Sequence, residues 1–305
     1  MARPGSPTVR RKQLATLLRR LRRQSGMTLE EAAAVLEVSA ATLSRIENGL
    51  RVPRARDVRD LLDAYGVTDE ARVSEITAYL AEARESGWWE GYSEVDDAYG
   101  NYIGLEAAAN EIEQYEATVI PAMLQTPDYV RAWLREGVNP QRERPFSEHD
   151  IEKRVEVCLE RQRLLQPPGA LKYSAVIDEG AFARAVGGAE VMRRQIEHVV
   201  ETAGLPNVHL RLLPFRAGAH PAQGAGPFTI LSLPRDVSDV VYVDLLAVGQ
   251  LFLEDPADLS RCRRVFAALI DESMDETASQ EALLEIAATL TEDASSGRAY
   301  RNEPT

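Results

Sequence analysis

Residues 28–48 decide the fold of the N-terminal part of this chain, and they read TLEEAAAVLEVSAATLSRIEN. From Leu29 onward, apolar side chains recur at i, i+3, i+4 and i+7, which predicts a short amphipathic helix. Thr28 and Glu31 have the spacing of a capping box at the start of that helix, and Ser39 is suited to cap a second one. The stretch therefore predicts two short helices joined by a tight turn.

The second of these helices has an exposed face of small side chains and one long cation. Leu43 and Ile46 fall on its buried side. The residues left pointing outward are Ala40, Ala41, Thr42, Ser44 and Arg45. Such a face fits the DNA major groove, where alanine contacts the thymine methyl group and arginine donates two hydrogen bonds to guanine.

Charge is distributed unevenly along the 305 residues. Residues 1–59 contain thirteen Lys and Arg against five Asp and Glu, a net charge of +8, so the total of −13 leaves −21 for the rest. A basic end on an acidic body is typical of a DNA-binding domain joined to a second domain. Two solvated surfaces of opposite sign, or a helical protein-binding module, are the alternatives, but neither requires the concentrated positive charge.

Other classes of function find little support in the sequence. No apolar run is long enough to cross a bilayer and no secretion signal is present, so we expect a cytoplasmic protein that joins the nucleoid when bound to DNA. Cys158 and Cys262 are predicted to be free thiols. The histidines have no metal-ligand spacing and no nucleotide-binding or nucleophile motif occurs, so we expect no metal, no cofactor and no enzymatic activity. Asp178 more simply caps the next helix than forms a catalytic carboxylate pair with Glu179.

Hydropathy patterning predicts an α-helical N-terminal helix-turn-helix domain followed by a mixed α+β domain with a small sheet. The predicted units are a disordered segment 1–9, five helices within 10–86, a linker 87–104, an acidic α+β domain 105–293 for regulation and dimerisation, and a disordered tail 294–305. Within the α+β domain, a helix is predicted at 105–116. Strands are predicted at 118–123, 171–178, 208–215, 227–234 and 239–255.

The predicted linker is rich in aromatic residues. Because exposed indole rings are costly, Trp88 and Trp89 are expected to pack on the second domain. The alternative is a cleft for a small-molecule effector, framed by the loop 220–226 and the aromatic side chains of the linker. Those side chains are Trp88, Trp89, Tyr92, Tyr99 and Tyr102.

Residues 10–66 resemble the Xre/Cro-type helix-turn-helix. The resemblance is carried by GMTLEEAA, the turn EVS, and TLSRIENG followed by Pro53. It implies that Ala40, Ala41 and Arg45 contact base edges. It also implies that phosphates are contacted by Asn48, Arg51 and Arg54, with backbone N–H groups at the helix starts near Thr28 and Ser39 contributing. A head of this size makes few contacts, so we expect a homodimer on a pseudo-palindromic double-stranded DNA site.

Three further positions follow from the same resemblance. Arg22 and Glu47 match a pair that ties the first helix to the end of the third. Leu29 stands where the family often has a glutamine that contacts DNA. Glu37 stands where the family often has glycine, so a positive φ there would cost about 1–2 kcal/mol.

Residues 88–292 resemble the C-terminal domain of WhiJ-like regulators of actinomycetes. The carrying segments are EATVIPAMLQTPDYVRAWL (116–134), ERQRLL (160–165), YSAVIDEGAFAR (173–184), HPAQGAGPFTILSLP (220–234) and VVYVDLL (240–246). The resemblance implies a regulator paired with a small partner protein encoded nearby, in an arrangement likened to toxin–antitoxin systems. It implies no ligand and no reaction, so a sensor of small molecules stays an alternative.

Overall fold

The computed structural model describes residues 6–92, 95–136, 145–167, 170–234, 237–245 and 249–296. Its N-terminal part contains the helices α1 (Pro7–Gln24), α2 (Leu29–Val35), α3 (Ala40–Glu47), α4 (Ala55–Ala64) and α5 (Glu70–Ala83). The prediction of an α-helical head followed by a mixed α and β domain is confirmed.

The first helix begins earlier than its sequence pattern indicates. We predicted disorder for residues 1–9, but α1 starts at Pro7 and its N-cap is Ser6. Proline is favoured at this position because its fixed φ is helical and it lacks an N–H that would stay unbonded. Residues 1–5 lie outside the described residues.

The C-terminal part contains six helices and six strands among the described residues. The helices are α6 (Asp97–Ala108), α7 (Pro127–Glu136), α8 (Glu148–Gln162), α9 (Ala189–Ala203), α10 (Pro256–Glu272) and α11 (Glu276–Ser296). The strands are β1 (Glu111–Glu116), β2 (Lys172–Asp178), β3 (Val208–Leu213), β4 (Phe228–Ser232), β5 (Val240–Leu245) and β6 (Gly249–Leu253). The backbone of α11 extends into the predicted disordered tail, and residues 297–305 lie outside the description.

All six strands form one sheet in the order β3-β2-β1-β4-β5-β6. The strands β1, β2 and β3 are parallel, whereas β4, β5 and β6 each run antiparallel to their neighbours. One face packs against α6, α9 and α11, and the other packs against α10. The sheet is therefore the centre of a three-layer domain, and it is larger than the small sheet we predicted.

Two segments were assigned wrongly from sequence. The predicted helix 105–116 is divided, since α6 ends at Ala108 and β1 begins at Glu111. Pairing with β2 and β4 on both sides makes β1 a central strand despite its three glutamates. The predicted strand 118–123 is a loop that leads into a 3-10 turn at Ala122–Leu124, because Pro121 has no N–H for a strand ladder.

The run 239–255, predicted as strand from its β-branched and aromatic residues, contains the hairpin partners β5 and β6. Residues 246–248 between them lie outside the description. Val241 pairs with Leu253 and Leu245 pairs with Gly249. A continuous apolar run thus supplies two antiparallel strands rather than one long one.

The predicted linker 87–104 contains a 3-10 turn at Trp88–Gly91 and most of α6. Trp89 is only 4% exposed and packs into the core of the C-terminal domain, as expected, whereas Trp88 is 39% exposed. Tyr102 stacks on Tyr242 with ring centroids 4.2 Å apart. Trp89 and Tyr102 therefore join the core at the domain junction, whereas Trp88 does not.

The hypothesis of an effector cleft between these aromatic rings and the loop 220–226 is wrong. His220 lies against Tyr115, with ring centroids 5.9 Å apart, and Ala222 is buried in the cluster on the α10 face. Trp89, Tyr92, Tyr99 and Tyr102 belong to the cluster on the opposite face. Because adjacent strand residues point to opposite faces, the sheet separates the two groups.

Helix α1 belongs to two hydrophobic cores. Leu14 and Leu18 are buried in the core of the head. Val9, five residues before Leu14, is 2% exposed and packs with Trp89 in the core of the C-terminal domain. The helix therefore holds the head against the rest of the molecule.

Both cysteines are free, as predicted. Cys158 is buried, and burial raises the pKa of its thiol to about 11.

Among the described residues, no helix has the length and apolarity needed to span a membrane.

The contact between α1 and α6 predicts the effect of a single methyl group. A Cβ atom added at Gly104 would lie 2.0 Å from Thr8 Oγ1 and 2.8 Å from Trp89 Cζ2. We expect Gly104→Ala to destabilise the full chain by about 1–3 kcal/mol, as overpacked sites do, and to shift the Trp89 fluorescence. Chemical denaturation would measure the loss.

Gly91→Ala is the matched control, since a Cβ at that position meets nothing within 4 Å. It should change stability by less than about 0.5 kcal/mol. Equal stability of the two variants would contradict a tight junction between α1 and α6.

Candidate nucleic-acid interface

The recognition helix predicted from sequence is α3, and hydrogen bonds define both of its ends. The Ser39 hydroxyl accepts a hydrogen bond from the Thr42 N–H at 3.2 Å, which caps the start. At the other end Gly49 has a φ of 74°, and the Leu50 N–H donates to the Arg45 carbonyl at 2.9 Å. This Schellman arrangement needs the left-handed conformation that glycine adopts without strain.

The buried side of α3 consists of Leu43 and Ile46, which are 0% and 3% exposed. Ala41, Arg45 and Asn48 are exposed on the opposite side. Ala40, Thr42 and Ser44 are partly buried beside them. The structure thus brings the predicted base-contacting residues onto one solvent-facing surface.

Several polar groups on this surface already have partners. The hydroxyl oxygens of Ser39 and Thr42 are 3.0 Å apart. The Asn48 side-chain amide donates to Ser44 Oγ at 3.3 Å. Arg45, by contrast, makes no ion pair within the described residues. Its guanidinium is therefore the free hydrogen-bond donor of this surface.

Thr28 caps α2 as the sequence predicts. Its hydroxyl accepts from the Glu31 N–H at 3.2 Å, and its own N–H donates to Glu31 Oε2 at 2.8 Å. The bond from the Thr28 N–H lowers the pKa of Glu31. The hydroxyl of Thr28 is used in this reciprocal pair. A phosphate at this position would therefore be bound by the backbone N–H groups at the start of α2.

Arg22 and Glu47 form the structural pair implied by the resemblance. Arg22 Nε and Nη2 donate to the two Glu47 carboxylate oxygens at 2.7 and 2.9 Å, and Nη1 donates to the Met27 carbonyl at 2.9 Å. Glu47 is 3% exposed, and the hydrogen bond to it raises the pKa of Arg22. The pair joins the end of α3 to α1.

The turn between α2 and α3 contains a strained residue. Glu37 has a φ of 56°, the one non-glycine residue with positive φ in the described part of the chain. The sequence comparison with the family's usual glycine therefore identified the strained position correctly.

Cations without an acidic partner surround α3. In the described ranges, no ion pair is formed by Arg19, Arg20, Arg23, Arg45, Arg51, Arg54 or Arg59. Arg51 and Arg54 are exposed in the loop that follows α3. This loop lies beside Arg11, Leu14 and Ala15 of α1. Its cations, and those near the end of α1, have no acidic partner and can attract phosphate groups.

The first three cations of α1 are engaged elsewhere, which sequence analysis missed. Arg10 Nε lies 2.5 Å from a Glu82 carboxylate oxygen, and Arg11 Nη2 lies 2.9 Å from Glu90. Lys12 forms an ion pair with Glu254, at the end of β6. Their acidic partners lie 72 to 242 positions away in the sequence, so no local pattern predicts them.

The acidic residues considered for catalysis have structural roles. Asp178 Oδ1 accepts a hydrogen bond from the Gly180 N–H at 2.7 Å, which caps the following 3-10 turn as expected. Glu179 accepts from the Phe215 N–H at 2.7 Å. Within the residues that the structure describes, no group of three His, Cys, Asp or Glu side chains is placed to hold a metal ion.

The strain at Glu37 predicts a stabilising substitution. Glu37→Gly removes a left-handed conformation that costs about 1–2 kcal/mol, against about 0.5–1 kcal/mol for the greater backbone freedom of glycine. We expect a net gain of about 0.5–1 kcal/mol in chemical denaturation. Gly26 has a φ of 78° with open space around it, so Gly26→Ala should lower the free energy of unfolding by a similar amount. A less stable Glu37→Gly variant would contradict this account.

The buried carboxylate of Glu47 predicts strong coupling with Arg22. Arg22→Met leaves that charge without its partner and should destabilise the head by about 3–5 kcal/mol. Arg22→Met combined with Glu47→Gln removes the charge as well and should restore part of the loss. Denaturation of the two variants and of Glu47→Gln completes the double-mutant cycle; purely additive effects would exclude the coupling.

Two family models match the chain. A domain of unknown function (DUF5753) matches residues 99–285, and a helix-turn-helix domain matches residues 13–74. No curated protein and no solved structure matches. The first match covers more than half of the chain and includes the whole sheet, while the second includes α2 and α3. The helix-turn-helix domain indicates a DNA-binding regulator of transcription, and the chain belongs to the DUF5753 family.

Proposed function

We propose that the protein binds a specific double-stranded DNA sequence and regulates transcription from it, with α3 in the major groove. The supporting observation is the exposed surface of α3, where small side chains flank the unpaired guanidinium of Arg45. Arginine in this setting donates two hydrogen bonds to guanine O6 and N7. Ala40 and Ala41 offer methyl contacts to thymine.

The cations around α3 support the non-specific part of binding. Arg51 and Arg54 follow the helix in an exposed loop, and Arg23 is exposed at the end of α1. Each phosphate contact releases counterions, so affinity depends on salt. In this proposal Arg45 contributes specificity, and the flanking arginines contribute affinity.

The finer parts of the proposal rest on the sequence resemblances. They describe an Xre-type head in a cytoplasmic homodimer and a WhiJ-like C-terminal domain that controls it without enzymatic activity. The anchoring of α1 supports such control, because Val9 lies in the core of the C-terminal domain while Leu14 lies in that of the head. A ligand or partner that changes the core of the C-terminal domain therefore acts on α1, which also forms part of the core of the head.

A second candidate function is antitoxin-like binding of a small partner protein, with DNA binding secondary. Two large apolar side chains of the C-terminal domain favour it, since Trp133 on α7 and Leu159 on α8 are each 42% exposed. Exposed apolar groups on a monomer mark contact surfaces when they are contiguous. Purification from native cells, with identification of bound DNA and bound protein together, separates this candidate from the first.

Arg45→Ala tests the recognition helix. After the bound sequence has been selected from genomic fragments, the variant should lose about 1–3 kcal/mol of binding free energy and its preference at one base pair. Competition binding against single-base variants of the site measures both. Unchanged affinity and selectivity would show that α3 is not the recognition helix.

Arg51→Ala is the matched comparison, because this residue follows α3 and is expected to contact phosphate. Its loss should weaken binding to all sequences alike and reduce the slope of log K against log salt by about 1. A change in base preference in this variant, rather than in Arg45→Ala, would reassign the readout to the loop.

A further inference from the structure

The two edges of the sheet differ in how they are closed. At the β3 edge, the Leu212 N–H donates to Ser279 Oγ at 2.9 Å, and the Leu212 carbonyl accepts from the Met274 N–H at 3.0 Å. Arg211 also donates to the Ile270 carbonyl at 3.3 Å. The first two bonds, from α11 and its connection to α10, occupy the backbone N–H and carbonyl of Leu212, which another strand would need.

The β6 edge has no such cover in the part of the chain that the structure describes, where β5 is its one neighbouring strand. β6 reads GQLFL, without a charge or a proline. Proteins usually block exposed edges with charged side chains, prolines or bulges, because unpaired N–H and C=O groups bind other strands. The β6 edge is therefore open to pairing.

Leu251 at the middle of β6 distinguishes this edge further. Phe252 and Leu253 pack against the two cores of the domain, one on each side of the sheet. Leu251 packs against no hydrophobic cluster of the described residues and is only partly buried. An apolar side chain on an open strand gains stability when a second strand covers it.

We propose that β6 pairs antiparallel with β6 of a second copy of this chain, around a two-fold axis at Leu251. The proposal rests on the proposed function, since it assigns the interface of the DNA-binding dimer. This register is the one that pairs all five residues of each strand. It places Leu251 opposite its symmetry mate and Gln250 opposite Phe252.

The acidic residues after β6 favour a second copy in this orientation. β6 is followed by Glu254 and Asp255. In a parallel pair these carboxylates would lie side by side and repel, whereas an antiparallel pair places them at opposite ends. Glu254 is also already paired with Lys12 of its own α1.

The same ion pair places each head beside the dimer axis. Lys12 lies on α1, so the end of β6 adjoins the helix that supports α3. Six strand residues separate the two Glu254 positions across the axis, which is about 20 Å at 3.4 Å per residue. With one α1 held near each of these positions through Lys12, the arrangement is compatible with recognition helices one turn of DNA apart, about 34–36 Å.

Sedimentation of the full-length protein tests the interface. Two five-residue strands form a contact smaller than the usual 1,200–2,000 Å² of a stable complex, so we expect a dimer at high micromolar concentration that tightens on DNA. Leu251→Lys and Leu251→Asp, each alone, place like charges across the axis and should weaken dimerisation about tenfold or more. An equimolar mixture of the two should dimerise again.

Leu284→Lys is the control, since this leucine is 48% exposed on α11, which packs against α9 and against β3 at the opposite edge of the sheet from β6. It should dimerise as the natural protein does. Circular dichroism of all variants establishes that they fold, and recovery in the mixture excludes a general folding defect.

The outcomes separate this proposal from the proposed function. A natural protein that stays monomeric with and without DNA, a Leu251→Lys variant that dimerises normally, or a mixture that stays monomeric would each overturn the β6 interface. A dimer that is sensitive to Leu251 and binds no specific DNA would support the interface and overturn the DNA-binding function. Specific DNA binding by a monomer would support the DNA-binding function and overturn the β6 interface.

Discussion

The rest of the structure depends on one helix that is shared between two hydrophobic cores. In α1, Val9 is buried with Trp89 in the C-terminal domain, and Leu14 and Leu18 are buried in the head. An 18-residue helix spans about 27 Å, so a single rigid rod connects the two. Because Arg22 near its end holds Glu47 of α3, the position of the recognition helix is linked to the packing of the C-terminal domain.

This arrangement also resolves the conflict between an acidic body and a DNA-binding head. The charge of −21 outside residues 1–59 would repel DNA if it were spread around the head. Some of it instead pairs with the start of α1, where Arg11 and Lys12 meet Glu90 and Glu254. The unpaired cations lie near the end of α1 and in the loop after α3, and that loop packs beside Arg11 and Lys12. The number of cations free to meet DNA is thus smaller than the sequence indicates.

The sequence predicted the head more fully than the body because local signals define the head. Capping at Thr28 and Ser39, and the left-handed glycine at Gly49, mark helix ends within a few residues. β1 has no comparable local signal, since its glutamates become strand residues only through pairing with β2 and β4. Gly104 weakens the helical pattern of α6, yet it is required for the close approach of Thr8. Both features depend on contacts distant in sequence, which periodicity does not contain.

The unequal edges of the sheet bear on how many copies can assemble. Since Ser279 and Met274 occupy the backbone N–H and carbonyl of Leu212, the β3 edge is blocked at this residue. Association through β6 is then isologous, and pairing of two copies consumes both open edges. A sheet open at both ends would allow continued addition and a fibre, which edge protection normally prevents. One closed and one open edge restrict growth to two copies, the number that matches the two-fold symmetry of a palindromic DNA site.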